Sequence, residues 1–90
     1  MDDERPPVYD RLRATVVEVL HVDPAAVVPE AEFGADLDID SLGLVELMQE
    51  VEDRFAIEVT EDDLSCIVTV DHAREIIEAR TADRLRPPPA

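Results

Sequence analysis

The residues best equipped for chemistry lie in one run, Asp36-Leu37-Asp38-Ile39-Asp40-Ser41-Leu42. Three aspartates at alternate positions could collect a divalent cation. The serine behind them could be a nucleophile, a helix cap or a point of covalent attachment. The cation reading fails on spacing. An EF-hand loop needs ligands at positions 1, 3 and 5, glycine at 6 and a bidentate glutamate at 12. Counted from Asp36, the sixth residue is Ser41 and the twelfth is Leu47, so both the turn and the strongest ligand are missing. The nucleophile reading fails on partners. A serine hydroxyl needs a base and an oxyanion site, and there is no Gly-x-Ser-x-Gly elbow around Ser41. His21 and His72 are the only histidines, and each reads as a lone surface or loop residue. Cys66, within "LSCIVTV", reads as a small, partly buried packing residue with no cation beside it to lower its pKa. A single cysteine excludes an internal disulfide and a cysteine-based zinc site, and the absence of lysine excludes Schiff-base chemistry.

Ninety residues make one domain, and 46% apolar content is enough to fold it. Aromatics are only 3%, namely Tyr9, Phe33 and Phe55, so the core must be built from Val, Leu, Ile and Ala. The net charge of -15 is concentrated in the middle: residues 30–63 carry thirteen acids and only Arg54. Such a surface repels nucleic acid and anionic membranes and attracts proteins with basic patches. The opening "MDDERPPVYD" is no signal peptide and no apolar run approaches a membrane span, so a soluble cytoplasmic monomer without membrane insertion is expected.

These residues need elements to hold them, and the apolar spacing is helical throughout. Tyr9, Leu12, Val16, Val19 and Leu20 place a buried stripe on a helix over 8–20. Asp23-Pro24 reads as a cap and first position of a short turn. A connection of roughly twenty residues follows, anchored by Phe33 and Leu37, and loops of that length are usually functional. A second helix begins at Asp40 or Ser41 and ends near Phe55, with Leu44, Leu47, Met48, Val51 and Phe55 facing the core. "TEDD" at Thr60–Asp63 resembles a capping box that opens a short third helix. Thr69 caps a fourth helix reaching about Ala82, which buries Val70, Ala73, Ile76 and Ile77. The expected fold is all-α: a small four-helix bundle of three main helices and one short helix, with a long loop between the first two. The domain spans 8–83, flanked by flexible tails at 1–7 and 84–90, and "IEVT" and "CIVTV" are too short to make competing strands.

Leu42 and Val45 fall off the core face of the second helix. They share a side with Ser41, Glu46, Gln49 and Glu52. An apolar pair beside a serine, ringed by acids, describes a docking surface with a charged rim. Ordinary helix capping is the competing role for Ser41.

The segment "DLDIDSLGLVELMQEVEDRF" resembles the attachment segment of acyl carrier proteins, in which aspartate, a modified serine and leucine open an acidic second helix. The similarity covers roughly residues 8 to 80, including Phe33 in the loop and the "TEDDL…TV" passage. It implies that Ser41 carries 4'-phosphopantetheine, delivered from coenzyme A by a Mg²⁺-dependent phosphopantetheinyl transferase. The arm's thiol then holds acyl groups as thioesters while partner enzymes do the chemistry, so the protein itself is not an enzyme. Asp38 and Asp40 serve recognition by the transferase. Leu42 and Val45 supply the apolar contact. Glu46, Glu52 and Asp53, with Glu61 and Asp62 on the third helix, meet basic patches on acyl transferases, ketosynthases and reductases. The aliphatic core could part to admit an acyl chain. "DLDIDSL" resembles fatty-acid carriers more than peptidyl or aromatic-polyketide ones. A polyketide or other specialised pathway is the alternative, and an unmodified acidic interaction module a remoter one. Two positions depart from the family pattern. Gly43 replaces a usually polar or acidic residue, at a cost of up to about 1 kcal/mol of helix stability, where it could loosen the turn or reduce bulk for a partner. Gln49 stands where many fatty-acid carriers are apolar.

Overall fold

Four helices form where the three- and four-residue apolar spacing demands them. The computed structural model describes residues 7–85. Helix α1 runs Val8–Leu20, α2 Ser41–Phe55, α3 Glu61–Cys66 and α4 Val70–Leu85, with a 3-10 turn at Pro24–Ala26 in the long α1–α2 connection. The first two helices have the bounds that their periodicity implies. Helix α4 continues three residues beyond Ala82. Pro7 is the N-cap residue of α1, its carbonyl accepting the Arg11 N–H at 3.2 Å. The tails expected at either end otherwise lie largely outside the described residues.

Helices α1, α2 and α4 each bury one stripe. Leu12 and Val16 of α1 meet Leu47, Met48, Val51 and Phe55 of α2, and Val70, Ala73 and Ile77 of α4 close the third side. Tyr9, Val19, Leu20, Leu44 and Ile76, expected in the same stripes, are half-buried at the margin of this cluster. The long connection contributes Val27, Ala31, Phe33 and Leu37, all buried, so it is a packed element and not a strap. The Tyr9 hydroxyl donates to the Val27 carbonyl at 2.8 Å, fixing the near end of that connection to α1.

The far end is sewn to the segment between α3 and α4. Phe33 donates its N–H to Val68 O, Val70 to Ala31 O and Asp71 to Pro29 O, each at 2.9 Å. Glu32 and Thr69 form an isolated antiparallel bridge, and no strand develops around it among the described residues. At the opposite end Arg11 lies 4.2 Å from the centroid of the Phe55 ring and donates to the Arg54 carbonyl at 3.1 Å. Arg54 in turn pairs with Glu50 at 2.8 Å and Glu18 at 2.6 Å. These pairs are solvent-exposed, so their role is to orient α1 against α2 more than to stabilise it.

The caps follow the sequence closely. Asp23 accepts from Ala25 N–H at 2.9 Å, and Thr60 with Asp63 forms the reciprocal box at the start of α3. Arg80 reaches from α4 to Asp63 at 2.8 Å. Arg74 donates to Asp71 at 2.6 Å, which holds that carboxyl below the usual carboxylate range. The contribution of this pair is present at neutral pH and is lost as pH falls through the lowered value.

Two readings of single residues are corrected. Cys66 is exposed, not a packing residue. It ends a helix of only six residues in which Leu64 packs on the core, and Ile67 just after it is buried; a position between those two inward side chains points outward. His72 is exposed but not idle. Its Nδ1 accepts the N–H groups of Val68 at 3.1 Å and Thr69 at 3.2 Å, while its own N–H donates to Thr69 Oγ1 at 3.1 Å. Histidine here takes the place that glutamate or glutamine fills in a capping box. His72→Ala is expected to lower stability by about 1 kcal/mol, whereas His72→Gln, which keeps an acceptor, retains most of it; urea denaturation of the three proteins checks this.

Candidate functional site

The three aspartates of the opening run go to three separate tasks. Asp36 closes a turn on itself: its carboxylate accepts the Glu32 N–H at 2.8 Å and its own N–H donates to Glu32 O at 2.9 Å. Asp38 occupies the left-handed region at φ 57°, a conformation that aspartate tolerates better than most residues. Asp40 is the N-cap of α2, with Oδ1 accepting the Gly43 N–H at 2.9 Å and its carbonyl accepting the Leu44 N–H at 3.0 Å. No group of three or more potential metal ligands forms among the described residues.

Because Asp40 takes the cap, Ser41 does not. Ser41 is the first residue inside α2, it is exposed, and among the described residues its hydroxyl has no hydrogen-bond partner. The capping role weighed against attachment therefore falls to its neighbour. Outward from Ser41, Leu42 is 66% exposed and Val45 36%. Glu46, Gln49 and Asp53 continue the same exposed side of the helix, and Glu61 and Asp62 are exposed in the first turn of α3. Glu52 stands apart from the other acids. It is half-buried, and its Oε2 accepts the Val59 N–H at 2.7 Å, which ties down the α2–α3 connection.

Beside the serine lies a groove of about 240 Å³, lined by Phe33, Ile39, Leu44, Ile67 and Val68 together with Glu32, Asp40 and Ser41. Val68 is nearly half exposed. On the other side of Ile39 is an open hollow of about 480 Å³ bounded by Asp38, Ile39, Asp40 and Gly43. Spacing in the sequence singles out Ser41, Leu42 and Val45 but not Ile67, Val68 or Ile39, because the groove joins residues 32–44 to residues 67–68, remote in the chain. Leu44 was assigned wholly to the core and is shared between core and groove.

These features suit a phosphodiester-linked arm. The hydroxyl is exposed and has no hydrogen-bond partner among the described residues. The first backbone N–H groups of a 15-residue helix lie next to it, where an anion gains roughly 0.3–1 kcal/mol, opposed by Asp38 and Asp40. The adjacent groove offers mostly apolar walls to whatever follows the phosphate. Asp40→Ala is expected to cost about 1 kcal/mol of stability by removing the cap, and Asp40→Asn, which keeps the acceptor, much less; thermal melts separate the cap from the charge.

Comparison with known proteins agrees with this arrangement. Residues 10–79 match the family described as phosphopantetheine attachment site. An acyl carrier protein of Thermosynechococcus vestitus is 36% identical over 75 residues, covering 83% of this chain and 93% of that protein. An acyl carrier protein of Helicobacter pylori strain G27 is 39% identical over 71 residues, covering 79% of this chain and 91% of that one. A helical bundle with a phosphopantetheine domain, matched by carriers along nearly their whole length, leads to one conclusion: the chain belongs to the acyl carrier protein family, whose cofactor is covalently attached 4'-phosphopantetheine.

Proposed function

We propose that Ser41 is the attachment point and that the protein is a non-catalytic carrier presenting acyl groups to the enzymes of fatty acid biosynthesis. The observation that carries this reading is the exposed Ser41 hydroxyl at the tip of α2, without a hydrogen-bond partner among the described residues and beside a groove with mostly apolar walls. A carrier needs a reachable hydroxyl and not an activated one, because the transferase supplies the base. When bound, the arm supplies a thiol that holds acyl groups as thioesters. The chain's own residues do the rest. Asp40 holds the turn, the first amides of α2 face the phosphate, and the groove walls shield apolar atoms from water. The fatty-acid assignment rests on the form of "DLDIDSL". The domain that acts is 8–83, and its setting is the cytoplasm.

Docking uses Leu42 and Val45 as the apolar contact, with Asp38, Glu46, Asp53, Glu61 and Asp62 as an acidic field. Encounters of a carrier must be fast and reversible, which favours charge steering over large buried area. Glu52 supports the surface from behind through its bond to Val59.

Incubation with coenzyme A and a broad-specificity transferase, followed by intact-mass measurement, tests the attachment. One phosphopantetheine is expected on the protein and none on Ser41→Ala; a modified Ser41→Ala protein, or an unmodified parent, would remove the central claim. The docking face is tested separately. Leu42→Ala is expected to raise KM for the transferase about tenfold, and Glu46→Lys to do the same at low salt with an effect that fades as ionic strength rises.

A further inference from the structure

Gly43 lies in the first turn of α2, where glycine is a poor helix former. The structure gives it a task. A Cβ built on Gly43 would lie 2.8 Å from Ile39 Cγ2, 3.4 Å from Asp40 Oδ1 and 3.8 Å from Leu20 Cδ2. The first distance is closer than real Cβ atoms approach, so a side chain at 43 and isoleucine at 39 exclude one another. The obstructing atom cannot swing aside cheaply. Cγ2 hangs directly on the branched Cβ of Ile39 and moves only with χ1 or with the backbone. That backbone is fixed, since Ile39 donates its N–H to Phe33 O at 2.8 Å. The position that a Cβ would take at Gly43 is thus occupied from within the molecule, by Ile39.

Ile39 is two residues from Ser41 and, like Asp40, lines both hollows that flank it: the groove of Phe33, Leu44, Ile67 and Val68, which Glu32 also borders, and the open hollow of Asp38 and Gly43. We propose that Ile39 seated in the notch at Gly43 is a positioning pair, which sets the serine-bearing turn in the geometry that the transferase requires. This rests on Ser41 being the attachment point. In the transfer, the Ser41 hydroxyl proton passes to the transferase and an Oγ–P bond forms. The pyrophosphate P–O bond of coenzyme A breaks, and adenosine 3',5'-bisphosphate leaves. The reacting oxygen must meet phosphorus in line, so displacement of the turn by a fraction of an ångström matters.

A double-mutant cycle on the full chain tests the pair. The rate of phosphopantetheine transfer from coenzyme A, split into kcat and KM, is measured with a broad-specificity transferase on the parent, Gly43→Ala, Ile39→Ala and the double variant. Amide hydrogen exchange at Gly43, whose N–H is bonded to Asp40, is recorded on the same samples. Gly43→Ala is expected to slow kcat by about tenfold to a hundredfold and to speed exchange at residue 43. Ile39→Ala/Gly43→Ala is expected to recover most of both, because alanine at 39 no longer meets the new Cβ. Should Gly43→Ala not fold, recovery of folding by the double variant is the expected result. A double variant as slow as Gly43→Ala would overturn the pair and return Gly43 to service as room for the partner. A Gly43→Ala protein as fast as the parent would overturn it equally. Failure of the attachment reading looks different, since then the parent itself gains no mass.

Discussion

The peptide unit of Phe33 is the joint on which the functional end depends. Its N–H reaches Val68 O, on the α3–α4 connection, and its carbonyl receives the N–H of Ile39, at the entrance to α2. The phenyl ring is buried in the common core. One residue therefore couples the core, the wall of the groove and the turn that presents Ser41. The bonds at Val70 and Asp71 repeat the attachment further along, so a connection of roughly twenty residues behaves as a packed layer. Buried backbone groups must find partners, and two irregular segments lying side by side satisfy each other without building a sheet.

The charge distribution follows a second rule. The few arginines are not scattered over the acidic face; Arg11, Arg54, Arg74 and Arg80 are committed to internal contacts with carbonyls, a ring or carboxylates. Acids without such partners remain on α2 and the first turn of α3, where they act as a field. Arg11, Arg54 and Arg80 thus link one helix to another, while Arg74 pairs with acids of its own helix. Glu52 and Asp63 show that a similar acid can serve the fold instead, when a backbone N–H or an arginine lies within reach.

The bounds of α1 and α2, the core stripes, the capping box at Thr60, the cap at Thr69 and the exposure of Leu42 and Val45 were legible from spacing, because each is decided by residues within four or five positions of one another. The carrier family was legible for the same reason: its signature is one continuous run from Asp36 to Phe55. Periodicity also misjudged two positions. It took Cys66 for a packing residue, and it saw no work for His72, whose bonds depend on how the turn before α4 closes.

What the sequence alone determined is an acidic all-helical bundle with a serine at the start of an amphipathic helix. Tertiary structure decided the rest: that Asp40 and not Ser41 bears the cap, that Glu52 serves the α2–α3 connection, that Gly43 makes room for Ile39, and that a groove borders the serine. The reason is geometric. Local pattern specifies which face of a helix turns inward, whereas a groove assembled from Phe33, Leu44 and Val68 exists only after segments distant in the chain have been packed against one another.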